Sequence, residues 1–259
     1  MNQTDEFYIG WQAQAPVSIR WHVRKTVVAL LVLLLALASI VALAQRTIGV
    51  AVFEWGTLKT FTGILKSDPY PHLLGQRPCQ SGSLSAYYLV APFKFGLKPD
   101  TIADLEGKEV TLKGTLIYRG NQTMIEAVPE SIKLNTAQPV APLRNGTGPS
   151  PISLGRHTLV GEIVDSKCYL GVMNPGRLAP HRACAVRCIS GGIPPILLVR
   201  QSAGQPLYFL LVSSDGRPVN KQVLDMVAEP IEITGEVLRQ GELSILRADP
   251  AMYRRLGSQ

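Results

Sequence analysis

The sequence predicts an all-β protein that follows one N-terminal transmembrane helix. Three observations support this fold class: a long apolar run near the N-terminus, short segments rich in β-branched and aromatic residues beyond it, and a glycine spacing that recurs in two halves of the chain. The chain has 259 residues, of which 46% are hydrophobic. That is enough for the core of one large domain or of two small ones.

A single transmembrane helix is predicted over residues 26–45. These twenty residues, TVVALLVLLLALASIVALAQ, carry no charge. A helix of that length spans about 30 Å, the thickness of the hydrocarbon core of a bilayer. A cleavable signal peptide is the alternative, because ALAQ has the small-x-small pattern of a cleavage site. The length of the apolar run and of the segment before it favours an uncleaved signal-anchor.

The charges beside this helix predict its orientation. Arg20, Arg24 and Lys25 precede the helix, whereas Arg46 alone follows it closely. The positive-inside rule therefore places residues 1–25 in the cytoplasm and the remainder outside it. In a bacterial cell this is the inner (cytoplasmic) membrane, crossed once, with the bulk of the chain in the periplasm. The predicted partner is the lipid bilayer.

The net charge does not predict a nucleic-acid partner. The chain carries a formal charge of +7, but its basic residues are scattered and form no run of five or more like charges. Such a distribution is typical of a solvated surface.

Two small β-domains are predicted after the helix. The first covers residues 46–134 and the second residues 158–256. The stretch between them, residues 135–157, is rich in proline and glycine and predicts a linker. The strands predicted most clearly cover residues 60–67, 85–92, 109–119, 123–134 and 158–166.

A shared glycine pattern indicates that the two domains are a tandem repeat. Gly114 and Gly120 are six residues apart, and so are Gly235 and Gly241. Glycine inside a strand commonly marks a bend or bulge, as required where a small barrel turns a corner. The pattern favours two Greek-key barrels of the oligonucleotide/oligosaccharide-binding (OB) type. Two unrelated β-sandwiches are the alternative.

The second domain carries an insertion after its first strand, DSKCYLGVMNPGRLAPHRACAVRCISGG (residues 165–192). Its last part predicts a short helix. Pro180 suits the first helical position, and Gly191 suits a left-handed residue just past the end. The insertion is the segment that distinguishes the second barrel from the first.

Disulfide bonding is one interpretation of the cysteines, since extracytoplasmic compartments are oxidising. The candidates are Cys79, Cys168, Cys184 and Cys188. One helical turn keeps the Cβ atoms of Cys184 and Cys188 about 5–6 Å apart, beyond the roughly 3.5–4.5 Å of a disulfide. Cys168 is therefore expected to pair with one of them, while the other stays free or pairs with Cys79.

A metal site formed by Cys168, His181, Cys184 and Cys188 is the other interpretation. Thiolates and imidazole suit zinc, copper(I) or, for the thiolates, an iron–sulfur cluster. Asp165 is itself a ligand, orients His181, or forms a turn at the end of the strand. Two further alternatives are a redox-active thiol pair and a protein that binds no cofactor.

The first domain has only traces of this insertion. Asp68, His72 and Cys79 stand at the corresponding place, so we expect a structural counterpart of the site there, with His72 at the surface or in a turn. Elsewhere the chain has no nucleophile elbow, phosphate-binding glycine loop or H-E-x-x-H motif. No catalytic residue is assigned, and a non-catalytic accessory or binding protein is favoured.

The second domain resembles uncharacterised small β-barrel domains of bacterial exported proteins. The resemblance rests on GEIVDSKCYLGVM, on the H-x-x-C-x-x-x-C helix and on IEITGEV, and it implies a fold and an extracytoplasmic compartment but no activity. The N-terminal EFYIGW is similar to the leader of membrane-anchored proteins that accompany respiratory or molybdenum redox enzymes, which implies a membrane redox complex as partner. The architecture also resembles haem chaperones of cytochrome c maturation, but this chain lacks their H-x-x-x-Y motif.

Overall fold

The computed structural model describes residues 15–45, 51–77, 80–136, 150–201 and 205–257. The chain divides into an N-terminal unit up to residue 49 and a second compact unit from residue 50 onward. The second unit confirms the predicted fold class. It contains two closed five-stranded barrels, and a short helix lies in the second barrel.

The N-terminal unit contains the helix α1 (Val17–Gln45). Its segment Val17–Ala44 contains an 18-residue window with a mean hydropathy of 3.1, and the segment is long and apolar enough to cross a membrane. The helix begins before the predicted start at Thr26, because the residues in between include neither proline nor glycine. In this added part the ammonium of Lys25 lies 3.1 Å from the centroid of the Trp21 ring.

The first barrel closes through antiparallel and parallel pairing. Five of its strands form a closed ring, and counted along the chain the first of these begins at Lys59 and the fifth ends at Ala127. The fourth ring strand pairs with the first, the first with the second, the second with the third, the third with the fifth and the fifth with the fourth. The third and fifth strands are parallel and the other neighbours are antiparallel. Two short strands extend the ring by pairing with the fourth strand. In chain order the strands are β1 (Ala51–Phe53), β2 (Lys59–Lys66), β3 (His72–Arg77), β4 (Gln80–Val90), β5 (Glu109–Arg119), β6 (Gln122–Ala127) and β7 (Lys133–Leu134), with β1 and β7 as the two additions.

The second barrel repeats this ring order, again with its third and fifth strands parallel. This is the Greek-key order of an OB barrel. The helix α2 (Arg182–Ser190) lies between the first and second strands of the ring, as predicted for the insertion. The strands are β8 (Ile152–Asp165), β9 (Pro195–Val199), β10 (Leu207–Val212), β11 (Pro230–Gln240), β12 (Leu243–Arg247) and β13 (Arg254–Arg255), with β13 added beside β11.

The two barrels also share the register of their first and fourth strands. In the first barrel Gly63 pairs with Val110, and Gly114 lies four positions further along the same ladder. In the second barrel Gly161 pairs with Ile231, and Gly235 lies four positions further along. A Cβ on Gly114 would lie 2.5 Å from the Ile125 side chain, so this position requires glycine.

Four local expectations differ from the structure. The strand predicted over residues 123–134 is interrupted between β6 and β7, because Pro129 begins a 3-10 turn (Pro129–Ser131). Strand β8 begins at Ile152 and not at Thr158, because residues 152–157 continue the pairing with β11. Gly191 has a φ of −79°, and the left-handed residue after α2 is Gly192, with a φ of +99°. His72 is buried, because it begins β3 and its ring packs against Tyr88.

The barrels share a core in addition to their own interiors. One apolar cluster lies inside each barrel, and a third spans both. The hydroxyl of Tyr70 joins the two barrels, since it donates to the Leu211 carbonyl at 3.2 Å and accepts from the Val219 N–H at 3.1 Å. Among the members of the spanning cluster are Tyr88, Ile117, Met124, Tyr169, Ile196 and two cysteines, Cys168 and Cys188.

Candidate metal centre

Three cysteines of the insertion converge at the junction of the two barrels. Cys168 begins a π-helical turn (Cys168–Val172) that follows β8, whereas Cys184 and Cys188 lie one turn apart on α2. Their three Sγ atoms lie within 4.8 Å of one another. All three are free thiols, with Cys168 and Cys188 buried and Cys184 half-buried. The sequence therefore brings three sulfurs from two elements to one point.

Asp165, the last residue of β8, positions Cys168. Its Oδ1 accepts a hydrogen bond from the backbone N–H of Cys168 at 2.7 Å, which shapes the turn. Its Oδ2 lies 3.0 Å from Nε2 of His181, in the turn that precedes α2. Both side chains are buried. The turn-forming and orienting roles predicted for Asp165 are thus combined, and the carboxylate ties the strand end to the start of the helix.

The four predicted ligands and Asp165 fall into two groups that share Cys168. One group is the three thiols, and the other consists of Asp165, Cys168 and His181, whose ligand atoms also lie within 4.8 Å of one another. His181 is directed to the carboxylate. The fourth cysteine of the chain, Cys79, lies outside the described residues.

A lysine of the first barrel contacts two of the three thiols. Nζ of Lys94, in the loop after β4, donates to Sγ of Cys184 at 2.8 Å and lies 4.0 Å from Sγ of Cys188. The contact with Cys184 raises the pKa of Lys94 above its ordinary value. The cysteine site is therefore formed by both barrels.

The thiols are not equivalent in acidity. The hydrogen bond from Cys168 lowers the pKa of Cys188, and the nearby Lys94 charge acts in the same direction. The same hydrogen bond, together with burial and the Asp165 carboxylate, raises the pKa of Cys168. Cys188 is thus the preferred thiolate and Cys168 the preferred thiol.

A buried lysine holds the loop that carries Lys94. Nζ of Lys167 donates to the carbonyls of Ala91 at 2.8 Å and Phe93 at 2.7 Å, and it forms an ion pair with Glu126 at 2.5 Å. These partners satisfy all three donors of the ammonium group. Lys167, which directly precedes Cys168, thus links the second barrel to the first.

The same loop is fixed at its other end by glycines. The N–H of Gly96 donates to the carbonyl of Gly191 at 2.9 Å. A Cβ on Gly96 would collide with the Gly192 carbonyl, and a Cβ on Gly191 would collide with the Lys94 carbonyl. Only glycine permits this approach of the loop to the end of α2.

The thiol group has dimensions suited to a soft metal ion. Zinc–sulfur bonds of about 2.3 Å in a tetrahedral site place the sulfurs about 3.8 Å apart. The three Sγ atoms, within 4.8 Å of one another, approach this spacing. Small side-chain rotations would bring them onto one ion.

Sequence reasoning missed Lys94 and Lys167. Lys167 lies in the D-S-K-C motif, and its position directly before Cys168 was the one signal in the sequence that could have pointed to it. Lys94 lies in APFKFG, which has no metal-site pattern.

No protein-family model matches the chain, and no curated protein matches it. The resemblance to bacterial exported domains therefore rests on the quoted motifs alone. The structure carries the barrels and the Cys/His/Asp cluster.

Proposed function

We propose that this chain is a membrane-anchored binding protein that holds one soft or borderline metal ion through Cys168, Cys184 and Cys188. The convergence of the three Sγ atoms within 4.8 Å carries the proposal. A buried free cysteine usually packs as a small apolar residue. Such packing alone does not explain why three sulfur atoms lie together. Soft thiolates bind zinc and copper(I) well.

The proposed setting is the inner membrane of a bacterium. In this proposal α1 anchors the chain with its N-terminus in the cytoplasm, because basic residues precede the apolar run. The barrels lie in the periplasm, where they serve a redox or metalloprotein complex. The matching strand registers support an origin of the barrels by duplication, with domains over residues 46–134 and 158–256.

The test uses the full chain in detergent, purified reduced and under anaerobic conditions. Elemental analysis and alkylation followed by intact mass give the metal content and the number of free thiols. We expect one metal ion per chain, and binding at least about tenfold weaker in Cys184→Ser, because one of three ligands is lost. Ala183→Ser, an exposed neighbour on α2, is the matched control and should bind as the unchanged chain does. A chain that stays metal-free with its thiols reduced would contradict the proposal.

A redox-active thiol pair is the second candidate. The sulfurs of Cys168 and Cys188 lie within 4.8 Å of each other, and both residues are buried. Their oxidation by a small disulfide would form one S–S bond and transfer two electrons and two protons to that reagent. The same mass measurement then shows the loss of two alkylation sites, with no metal bound.

A further inference from the structure

We infer that the thiol site is completed by Lys94 and is built for a divalent ion. This inference rests on the proposed metal-binding function and specifies that the bound ion is divalent. Lys94 belongs to the first barrel, whereas the three sulfurs belong to the second.

The contact between Lys94 and the sulfurs is direct. Nζ lies 2.8 Å from Sγ of Cys184 and 4.0 Å from Sγ of Cys188. Cys184 is the half-buried thiol of the three. A positive charge therefore stands where the sulfur group meets solvent.

The backbone on both sides of Lys94 is fixed by residues that adjoin the ligands. Lys167, which precedes Cys168, binds the carbonyls of Ala91 and Phe93. Gly191, three residues after Cys188, accepts from the N–H of Gly96. Residues that hold the sulfurs thus also hold the lysine.

The conformation of this loop indicates that its course is imposed. Phe93 has a φ of +61°, a left-handed conformation that is costly for an aromatic residue, and its side chain is 81% exposed. An exposed loop without anchors would relax this conformation. The two anchors instead bring the next residue, Lys94, to the thiols.

Charge counting assigns the ion. Three thiolates and a divalent ion form a complex of net charge −1, and the ammonium of Lys94 brings the total to zero. The nearby ion pair of Lys167 with Glu126 is balanced in the same way, and the Asp165 carboxylate is hydrogen-bonded to His181. Charge that is left unbalanced at a largely buried site is costly, so this arrangement suits an ion of the zinc type.

Arsenous acid provides a probe that separates charge from shape. It condenses with three thiols to a neutral trithiolate and releases three water molecules. Zinc instead displaces three protons and leaves a negative complex. A lysine that acts through its charge should therefore affect zinc binding and not arsenic(III) binding.

The experiment compares zinc and arsenic(III) affinities of the reduced full chain in detergent. The variants are Lys94→Gln, Lys94→Arg and the control Lys98→Gln, which removes an exposed charge from the same loop. We expect Lys94→Gln to bind zinc at least about tenfold more weakly, and arsenic(III) within about threefold of the unchanged chain. Lys94→Arg and Lys98→Gln should retain zinc binding within about threefold.

Three results would overturn the inference. Unchanged zinc affinity in Lys94→Gln would show that Lys94 contacts the thiols without contributing to zinc binding. The proposed metal-binding function would not be affected by that result. An equal loss of zinc and arsenic(III) affinity would assign Lys94 a structural role. Failure of the unchanged chain to bind zinc would overturn the inference, and the proposed function would fall with it only if copper(I) also failed to bind.

Discussion

The ammonium of Lys167 in the second barrel lies 2.5 Å from the carboxylate of Glu126 in the first, with 1% and 12% of the two side chains exposed. Lysine is almost never buried without a partner, because its charge must be balanced there. Since Lys167 also binds the loop before Lys94, one side chain stabilises both the barrel junction and the cysteine site.

Replacing Lys167 by methionine should lower the free energy of unfolding by about 3–5 kcal/mol. The substitution leaves the carboxylate of Glu126 near the junction without its partner, and the loss of one member of a buried pair has this typical cost. Urea unfolding of the full chain in detergent measures the change. Arg217→Met, which removes an exposed ion pair with Asp215, is the control and should change the value by about 0.5 kcal/mol or less. Equal effects of the two substitutions would refute a special role for Lys167.

Asp165→Ala should weaken zinc binding by about 10–100-fold. It removes the acceptor that positions Cys168 and the partner of His181, and such orienting groups have effects of this size at metal sites. Asp165→Asn keeps an oxygen for the Cys168 N–H, so a smaller loss is expected. The measurement is competition with a chromophoric zinc chelator. Full affinity in Asp165→Ala would show that the carboxylate does not support the site.

Gly96→Ala should destabilise the junction by about 1–3 kcal/mol, the usual cost of inserting atoms where there is no space. The new methyl group would meet the backbone of Gly192 and push away the loop that carries Lys94. Thermal unfolding and zinc affinity should both decrease. The control is Gly257→Ala, because a Cβ there meets no atom within 4 Å. If Gly96→Ala behaves like this control, the loop is not fixed as described.

The structure also predicts a pH dependence that arises from His72. Burial lowers the pKa of His72 below its ordinary value of 6.5, although its hydrogen bond to the Tyr70 carbonyl acts in the opposite direction. Glu106 and Asp68 also act to raise this pKa, and Lys66 acts to lower it. In the unfolded chain the ring has its ordinary pKa, so the unfolded chain binds more protons as the pH falls through 6.5. The free energy of unfolding should therefore decrease as the pH is lowered from about 7.5 to about 5.5.

His72→Asn tests this source of the pH dependence. Asparagine keeps a donor for the Tyr70 carbonyl and does not titrate, so its free energy of unfolding should vary less over the same pH range. Urea unfolding at both pH values gives the comparison. The same slope in both proteins would assign the pH dependence to other groups.

Local sequence patterns predicted the barrels and the insertion. Gly63 and Gly161 stand at equivalent positions of the strand ladders, where the backbone of the next strand leaves no space for a side chain. Pro180 and the glycines after Ser190 bounded the short helix. The helix signals are local, because they depend on backbone geometry within a few residues, whereas the glycine spacing is informative because it recurs in both halves of the chain.

The contribution of the first barrel to the site was not predictable in this way. Lys94 and Cys184 are 90 residues apart, and Lys167 and Ala91 are 76 apart. Their contacts depend on how the barrels pack against each other, which the shared core around Tyr88 and Cys168 determines. The first barrel was expected to be a plain copy, whereas it supplies the positive charge.

X-ray absorption at the zinc edge of the zinc-loaded full chain identifies the atoms bound to the ion. We expect three sulfur ligands at about 2.3 Å, with one of them lost in Cys184→Ser. A first coordination sphere made of nitrogen and oxygen, with no sulfur, would contradict this expectation.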